Sequence, residues 1–120
     1  MFKRRQKIER IIKKYREELE KLGIKPEKII LYGSYAKGSP RQDSDIDLIV
    51  ISDDFKNLNL RERLEILGLA AGRVFEPIEA LGYTKEEIES EEKDSFLGEI
   101  LNSVSIAYWG DSPIKINFER

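Results

Sequence analysis

Residues 29–50 read IILYGSYAKGSPRQDSDIDLIV, two apolar runs of β type with a polar loop between them. The first run predicts a strand over 28–32 that ends at the glycine of position 33. The second run predicts a strand over 45–52. Because the second run is apolar on both faces toward its end, we expect it to lie in the sheet interior as the central strand.

The polar residues at the ends of these two runs are suited to phosphate and metal chemistry. The first strand leads Gly33 and Ser34 into a predicted helical turn, whose free N–H groups and dipole favour a phosphate. Strand alternation places Asp45 and Asp47 on one face while Ile46 points into the core. Two neighbouring carboxylates are costly without a cation, and Mg²⁺ binds carboxylate and phosphate oxygens. The pattern therefore indicates a site for phosphoryl or nucleotidyl transfer.

Hydrophobic periodicity outlines the remaining elements. It predicts a helix over 2–22 capped by Gly23, helices over 58–73 and 95–103, and strands over 75–83 and 104–109. Pro77 indicates an edge position or a bulge at the start of the strand over 75–83, which would move the start of the strand proper to Ile78. Thr84 and Glu87 have the spacing of a capping box that opens a further short helix. The charged residues of 58–73, Arg63 among them, are expected on the solvent side, and the tail 111–120 is expected to be irregular. This order of elements indicates an α/β or α+β sheet packed by helices.

Composition restricts the chemistry that is available to the chain. A length of 120 residues predicts one domain, and the absence of cysteine and histidine excludes disulfides, thiol nucleophiles, zinc-finger ligand sets and Ser-His-Asp triads. Any catalysis must then use carboxylates, hydroxyls, lysine or arginine. The formal net charge of -2 argues against direct nucleic-acid binding. No apolar run is long enough to cross a membrane, so we expect a cytoplasmic protein without a membrane partner.

Two motifs, LYGSYAKG at 31–38 and SDIDLIV at 44–50, resemble the nucleotidyltransferase pattern of the DNA polymerase β superfamily. The short length of the chain is similar to that of the stand-alone minimal nucleotidyltransferases, called MNT proteins. The resemblance to these proteins extends over about residues 26–110. The resemblance implies a single minimal domain over 1–120, with an N-terminal helix at 2–22 and a core at 26–110. It also implies a mixed β-sheet flanked by helices, the nucleotidyltransferase fold.

The resemblance also implies a catalytic metal site. In this family two aspartates bind metal and a third carboxylate on a neighbouring strand assists the nucleophile, which assigns Asp45 and Asp47 as catalytic metal ligands. Glu79 is our choice for the third carboxylate, as a third metal ligand or as the base. Glu76 is the alternative, because Pro77 obscures the register of the strand. The implied cofactor is Mg²⁺, as one or two ions.

The nucleotide-binding residues follow from the same resemblance. Gly33, Ser34, Lys37 and Ser44 are expected to bind the triphosphate of a nucleoside triphosphate, with ATP as the substrate. Many family members have arginine where this chain has Lys37. A lysine still attracts phosphate, but it lacks the bidentate geometry of a guanidinium group.

The implied function is transfer of AMP from ATP to a partner protein. By analogy with the family, the partner is a small helical HEPN-type protein, and the pair forms a toxin-antitoxin module in a homo- or hetero-oligomer. One alternative is a non-catalytic nucleotide-binding module that neutralises its helical partner by complex formation alone. Transfer to a small molecule, as in aminoglycoside-modifying relatives, is less favoured because 120 residues leave no room for an acceptor domain.

Overall fold

The computed structural model describes residues 2–33, 35, 45–90, 104–109 and 112–117, with only the backbone for 2–5, 104–109 and 112–117. The chain order of the elements is α1 (Phe2–Lys21), β1 (Lys28–Tyr32), β2 (Ile46–Ile51), a 3₁₀ helix (Asp53–Phe55), α2 (Leu60–Val74), β3 (Ile78–Tyr83), α3 (Lys85–Ser90), β4 (Val104–Trp109) and β5 (Ser112–Asn117). The helix predicted over 95–103 lies outside the described residues. Among the described helices, none is both long and apolar enough to cross a membrane.

The described strands form one mixed sheet in the order β3-β2-β1-β4-β5. Strand β2 is antiparallel to β1 and parallel to β3, while β4 is antiparallel to both β1 and β5. The prediction of a mixed α/β sheet is therefore confirmed. The prediction that the strand at 45–52 is central is wrong: β2 is an interior strand, but β1 occupies the middle because β4 and β5 extend the sheet on its far side.

The prediction of an irregular tail over 111–120 is also wrong, since Ser112–Asn117 forms β5 and pairs with β4. Two isoleucines at 114 and 116 alternate with other residues, which is typical of a strand. Pro113 concealed this signal because proline cannot donate a ladder hydrogen bond. It lies opposite Tyr108 on the outermost described strand, where proline is tolerated.

Apolar side chains cover both faces of the inner strands. On one face, α1 and α2 pack against β1 and β2 in a cluster that includes Tyr15, Leu48 and Leu67. The Tyr15 hydroxyl donates a hydrogen bond of 2.9 Å to the carbonyl oxygen of Leu67, which joins the two helices. On the other face, Ile30 and Ile49 belong to a smaller cluster against which α3 packs. Burial on both faces explains why β2 reads as an almost continuous apolar run.

Capping residues fix the ends of the helices. The predicted capping box of α3 is confirmed: the Thr84 N–H donates to Glu87 Oε1 at 2.9 Å, and the Glu87 N–H donates to Thr84 Oγ1 at 3.1 Å. A second capping box, formed by Asn59 and Glu62, begins α2 with bonds of 2.9 and 2.8 Å. Gly23 follows α1 with a φ of 93°, as expected of a glycine cap.

Arg63 of α2 joins the segments that connect β2 to β3. Its guanidinium donates to the carbonyl oxygens of Phe55, Leu58 and Gly82 at 2.9, 3.0 and 3.1 Å. The same group donates to both carboxylate oxygens of Glu87 at 2.7 and 2.9 Å. The expectation of a solvent-facing arginine is wrong, because Arg63 is only 9% exposed. Its charge is tolerated there because a carboxylate and three carbonyl groups satisfy it.

We expect replacement of Arg63 by methionine to lower the free energy of unfolding by about 1–3 kcal/mol. The variant leaves Glu87 without its cation and removes the donors to three carbonyl oxygens. Urea denaturation measures the loss. The matched control is Arg61→Met in the same helix, because Arg61 is exposed and, among the described residues, forms an ion pair only with Glu65, so its loss should stay within about 0.5 kcal/mol. Equal losses in the two variants would contradict the role given to Arg63.

The ion pair also predicts how stability depends on pH. Hydrogen bonding to Arg63 lowers the pKa of Glu87 in the folded state. Its stabilisation is therefore present above the unfolded pKa of about 4.3 and is lost as the pH falls through the lower folded value. Glu87→Gln cannot ionise, so the difference in urea midpoint between wild type and variant should shrink from about pH 7 to about pH 3. The exposed Glu86→Gln should show little difference throughout. A constant difference for Glu87→Gln would contradict this linkage.

Candidate active site

The parallel pairing of β2 with β3 brings acidic residues to one end of the sheet. Asp47 lies directly opposite Glu79 in the register, and Ile46 lies opposite Ile78. Neighbouring strands are about 4.8 Å apart, so the side chains of Asp47 and Glu79 are adjacent on one face. Asp45 precedes β2 by one residue and shares that face by alternation. Three carboxylates from two strands are thus brought together.

The three carboxylates interact through hydrogen bonding and repulsion. A side-chain hydrogen bond with Asp45 is the main cause that raises the pKa of Glu79, and the negative charge of Asp45 adds to it. Burial raises the pKa of Asp47, with a further contribution from the charge of Asp45. Within the described residues, no lysine or arginine forms an ion pair with any of the three. The cluster therefore has an excess of negative charge.

The donor chemistry of this cluster fits a hard divalent cation such as Mg²⁺, which prefers carboxylate oxygens. The raised pKa values of Asp47 and Glu79 fit as well, because a cation would remove the repulsion that favours protonation. Across the described ranges, no three acidic side chains already surround a single metal position. The arrangement is a pair of carboxyl groups in contact, Asp45 and Glu79, with Asp47 beside them.

Gly33 lies against this cluster and cannot carry a side chain. Its φ is 76°, in the left-handed region that favours glycine, and a Cβ atom there would collide with the carboxylate of Asp47. The glycine is therefore needed for packing against Asp47, in addition to the phosphate approach predicted from the sequence. Three other predicted nucleotide-binding residues, Ser34, Lys37 and Ser44, lie outside the described residues.

Tyr32 is a site residue that sequence reasoning missed. It lies opposite Asp47 in the antiparallel pairing of β1 with β2. Burial, followed by the negative charges of Asp47 and Glu79, raises the pKa of Tyr32 to about 12. Its hydroxyl therefore keeps its proton at neutral pH and remains available as a hydrogen-bond donor. The signal was present in the sequence, because Tyr32 directly precedes Gly33 and only an antiparallel register was needed to place it.

Glu76, the alternative third carboxylate, has different surroundings. It precedes β3 and lines a cavity of about 290 Å³ together with Lys7, Tyr35 and Pro77. Ile46 also lines this cavity and belongs to the helix-covered cluster, on the face opposite Asp47. The structure therefore groups Glu79, rather than Glu76, with the two aspartates.

Comparison with solved structures supports the fold. The chain is similar to a 1.40 Å crystal structure from Sulfolobus solfataricus that carries a provisional assignment as a nucleotidyltransferase. The two chains are 19% identical, with a TM-score of 0.55 over 73% of this chain and 77% of the other. At this identity the likeness concerns the fold alone.

A crystal structure of a toxin-antitoxin with AMP-PNP also matches, with 25% identity over 57% of this chain and 49% of that chain. Its TM-score of 0.41 is too low to support an inference. No curated protein sequence matches this chain. The sequence profile of the nucleotidyltransferase domain matches residues 12–105, a span that contains Gly33 and all three clustered carboxylates. The chain therefore belongs to the nucleotidyltransferase domain family.

Proposed function

We propose that this protein transfers AMP from ATP to a hydroxyl group of a partner protein in a Mg²⁺-dependent reaction. The observation that carries the proposal is the group of three carboxylates on β2 and β3, which have no cationic partner among the described residues. Membership of the nucleotidyltransferase family supports the reaction class. We choose ATP as the nucleotide and a protein as the acceptor because the sequence motifs resemble those of minimal nucleotidyltransferases.

In the proposed reaction, the acceptor oxygen forms a bond to the α-phosphorus while the bond to pyrophosphate breaks. Asp45, Asp47 and Glu79 would hold the Mg²⁺, which supplies charge neutralisation for the triphosphate when bound. Glu79 is exposed at the edge of the cluster, where an acceptor hydroxyl can reach it and lose its proton to the carboxylate. Gly33 leaves room beside Asp47, and we assign the triphosphate to Gly33 together with Ser34, Lys37 and Ser44.

The proposed partner is a small helical protein of the HEPN type, and the proposed role is that of an antitoxin. Support comes from the resemblance of the motifs to those of minimal nucleotidyltransferases. The open position of Glu79 also supports an acceptor on a separate molecule, because the carboxylate is exposed to solvent in the isolated chain. A non-catalytic module that only binds its partner would need none of the three carboxylates for inhibition.

Mg²⁺ should be required for tight ATP binding, because the carboxylates otherwise repel the triphosphate. We expect Asp45→Asn combined with Asp47→Asn to abolish the Mg²⁺-dependent part of the affinity, as measured by calorimetry. Because the pKa values of Asp47 and Glu79 are raised, Mg²⁺ binding at acidic pH should also release protons. The control, Glu86→Gln with Glu89→Gln, removes two exposed charges from α3 and should leave ATP binding unchanged. Equal ATP affinity with and without Mg²⁺ in the wild type would refute the assignment.

The third carboxylate should matter for transfer more than for nucleotide affinity. We expect Glu79→Gln to keep part of the Mg-ATP affinity and to lower the rate of AMP transfer by about 10²-fold or more, because the acceptor hydroxyl loses its base. The matched control is Glu76→Gln, which changes the alternative glutamate on the other face of the sheet. Mass spectrometry of the partner measures transfer.

Loss of transfer in Glu76→Gln but not in Glu79→Gln would reverse the assignment. Inhibition of the partner by the wild type with no gain of an AMP mass would favour the non-catalytic module.

A further inference from the structure

A groove of about 440 Å³ lies between β3 and α2 and opens toward the carboxylates. Leu64, Leu67 and Gly68 of α2 form one wall, and Ile78 and Ala80 belong to β3 on the other side. The groove also reaches Tyr32 and Glu79, which belong to the candidate active site. Its lining is apolar except at the end that meets this site.

The β3 side of the groove carries main-chain groups that pair with no strand in the described part of the chain. The Ile46 N–H donates to the Pro77 carbonyl oxygen at 2.7 Å, and the Ser52 N–H donates to that of Tyr83 at 2.9 Å. Odd-numbered residues of β3 therefore bond to β2, and even-numbered residues direct their main-chain groups outward. The outward carbonyl oxygen of Gly82 accepts a hydrogen bond from Arg63. The N–H and carbonyl groups of Ala80, a residue that lines the groove, therefore point away from β2 at the outer edge of β3.

The α2 side of the groove is widened by a glycine. Gly68 lies in the middle of α2, and a Cβ atom at this position would meet no atom within 4 Å. Glycine weakens a helix relative to alanine, and nothing inside the described chain requires it here. Next to it, Leu64 is 44% exposed, and it lines the groove together with the glycine. A segment from another molecule would cover Leu64 and use the space that Gly68 leaves.

We propose that this groove binds an extended segment of the acceptor protein, which adds to the sheet as a strand beside β3. The inference rests on the proposed function, because the groove leads to Glu79, where the acceptor hydroxyl must arrive. Main-chain pairing with an edge strand gives such a segment affinity, and pockets for alternate side chains give it specificity. Among the described residues that line the groove, the only charged one is Glu79, which is acidic, so the segment should be apolar or basic and carry a tyrosine, serine or threonine.

The test uses the full chain and a set of peptides of about eight residues, with alternating valine or isoleucine and threonine around a central tyrosine and a lysine at each end. NMR should show protection of the Ala80 amide from hydrogen exchange when a peptide binds. Gly68→Leu should weaken peptide binding about tenfold or more, because its side chain fills the groove. The matched control is Gly72→Leu, one turn further along α2. A Cβ atom also meets nothing there, and Gly72 does not line the groove, so binding should be unchanged.

Both leucine variants should fold at least as well as the wild type, because leucine favours helix and a Cβ atom at either position meets no atom within 4 Å. Mg-ATP affinity, measured in parallel, separates this proposal from the proposed function. If Mg-ATP binds but no peptide protects the Ala80 amide, the groove proposal is overturned and the proposed function stands. If Gly68→Leu weakens Mg-ATP binding, the groove holds nucleotide and the proposal is likewise overturned. Equal weakening of peptide binding by Gly72→Leu would also overturn it.

Discussion

The buried guanidinium of Arg63 is the interaction on which the geometry of the site depends. It contacts the 3₁₀ helix after β2, the start of α2, the end of β3 and Glu87 of α3. The first two segments belong to the crossover between the parallel strands β2 and β3, and the other two lie at the end of β3 and just after it. Their joint attachment to one side chain fixes how β3 lies along β2. A slip of one residue would turn Glu79 to the opposite face of the sheet. A residue far from the carboxylates thus maintains the register that brings them together.

The carboxylate cluster illustrates a conflict between stability and function. Three acidic side chains converge where the folded chain alone would favour separating them. The hydrogen bond with Asp45 and its charge raise the pKa of Glu79, and the charge of Asp45 adds to the effect of burial on the pKa of Asp47. Local rules of stability are commonly broken at functional sites, and the rest of the fold compensates. Here the compensation comes from the apolar packing on both faces of β2, which holds the strand in place despite the repulsion among the carboxylates at its end.

The sequence was sufficient to predict most of the sheet and the common face of Asp45 and Asp47, because alternation within one strand is a local property. Choosing between Glu79 and Glu76 required the register with a second strand, and Pro77 hid that register. The burial of Arg63 could not be foreseen, since a charged residue in an amphipathic helix usually faces solvent and its acceptors come from distant segments. The strand at Ser112–Asn117 was missed because Pro113 suggested a break, although proline is compatible with the outer position.

The close contact between Gly33 and Asp47 has a consequence for the divergence of related proteins. A side chain at position 33 meets the carboxylate of Asp47, so the two positions cannot change independently. A lineage that abandons chemistry and loses the aspartate gains room for a larger residue at 33, although the positive φ still favours glycine or asparagine. The reverse order of mutations passes through a strained intermediate. Inactive descendants should therefore lose Asp47 first and Gly33 afterwards. Ancestral sequence reconstruction can detect this order of substitutions.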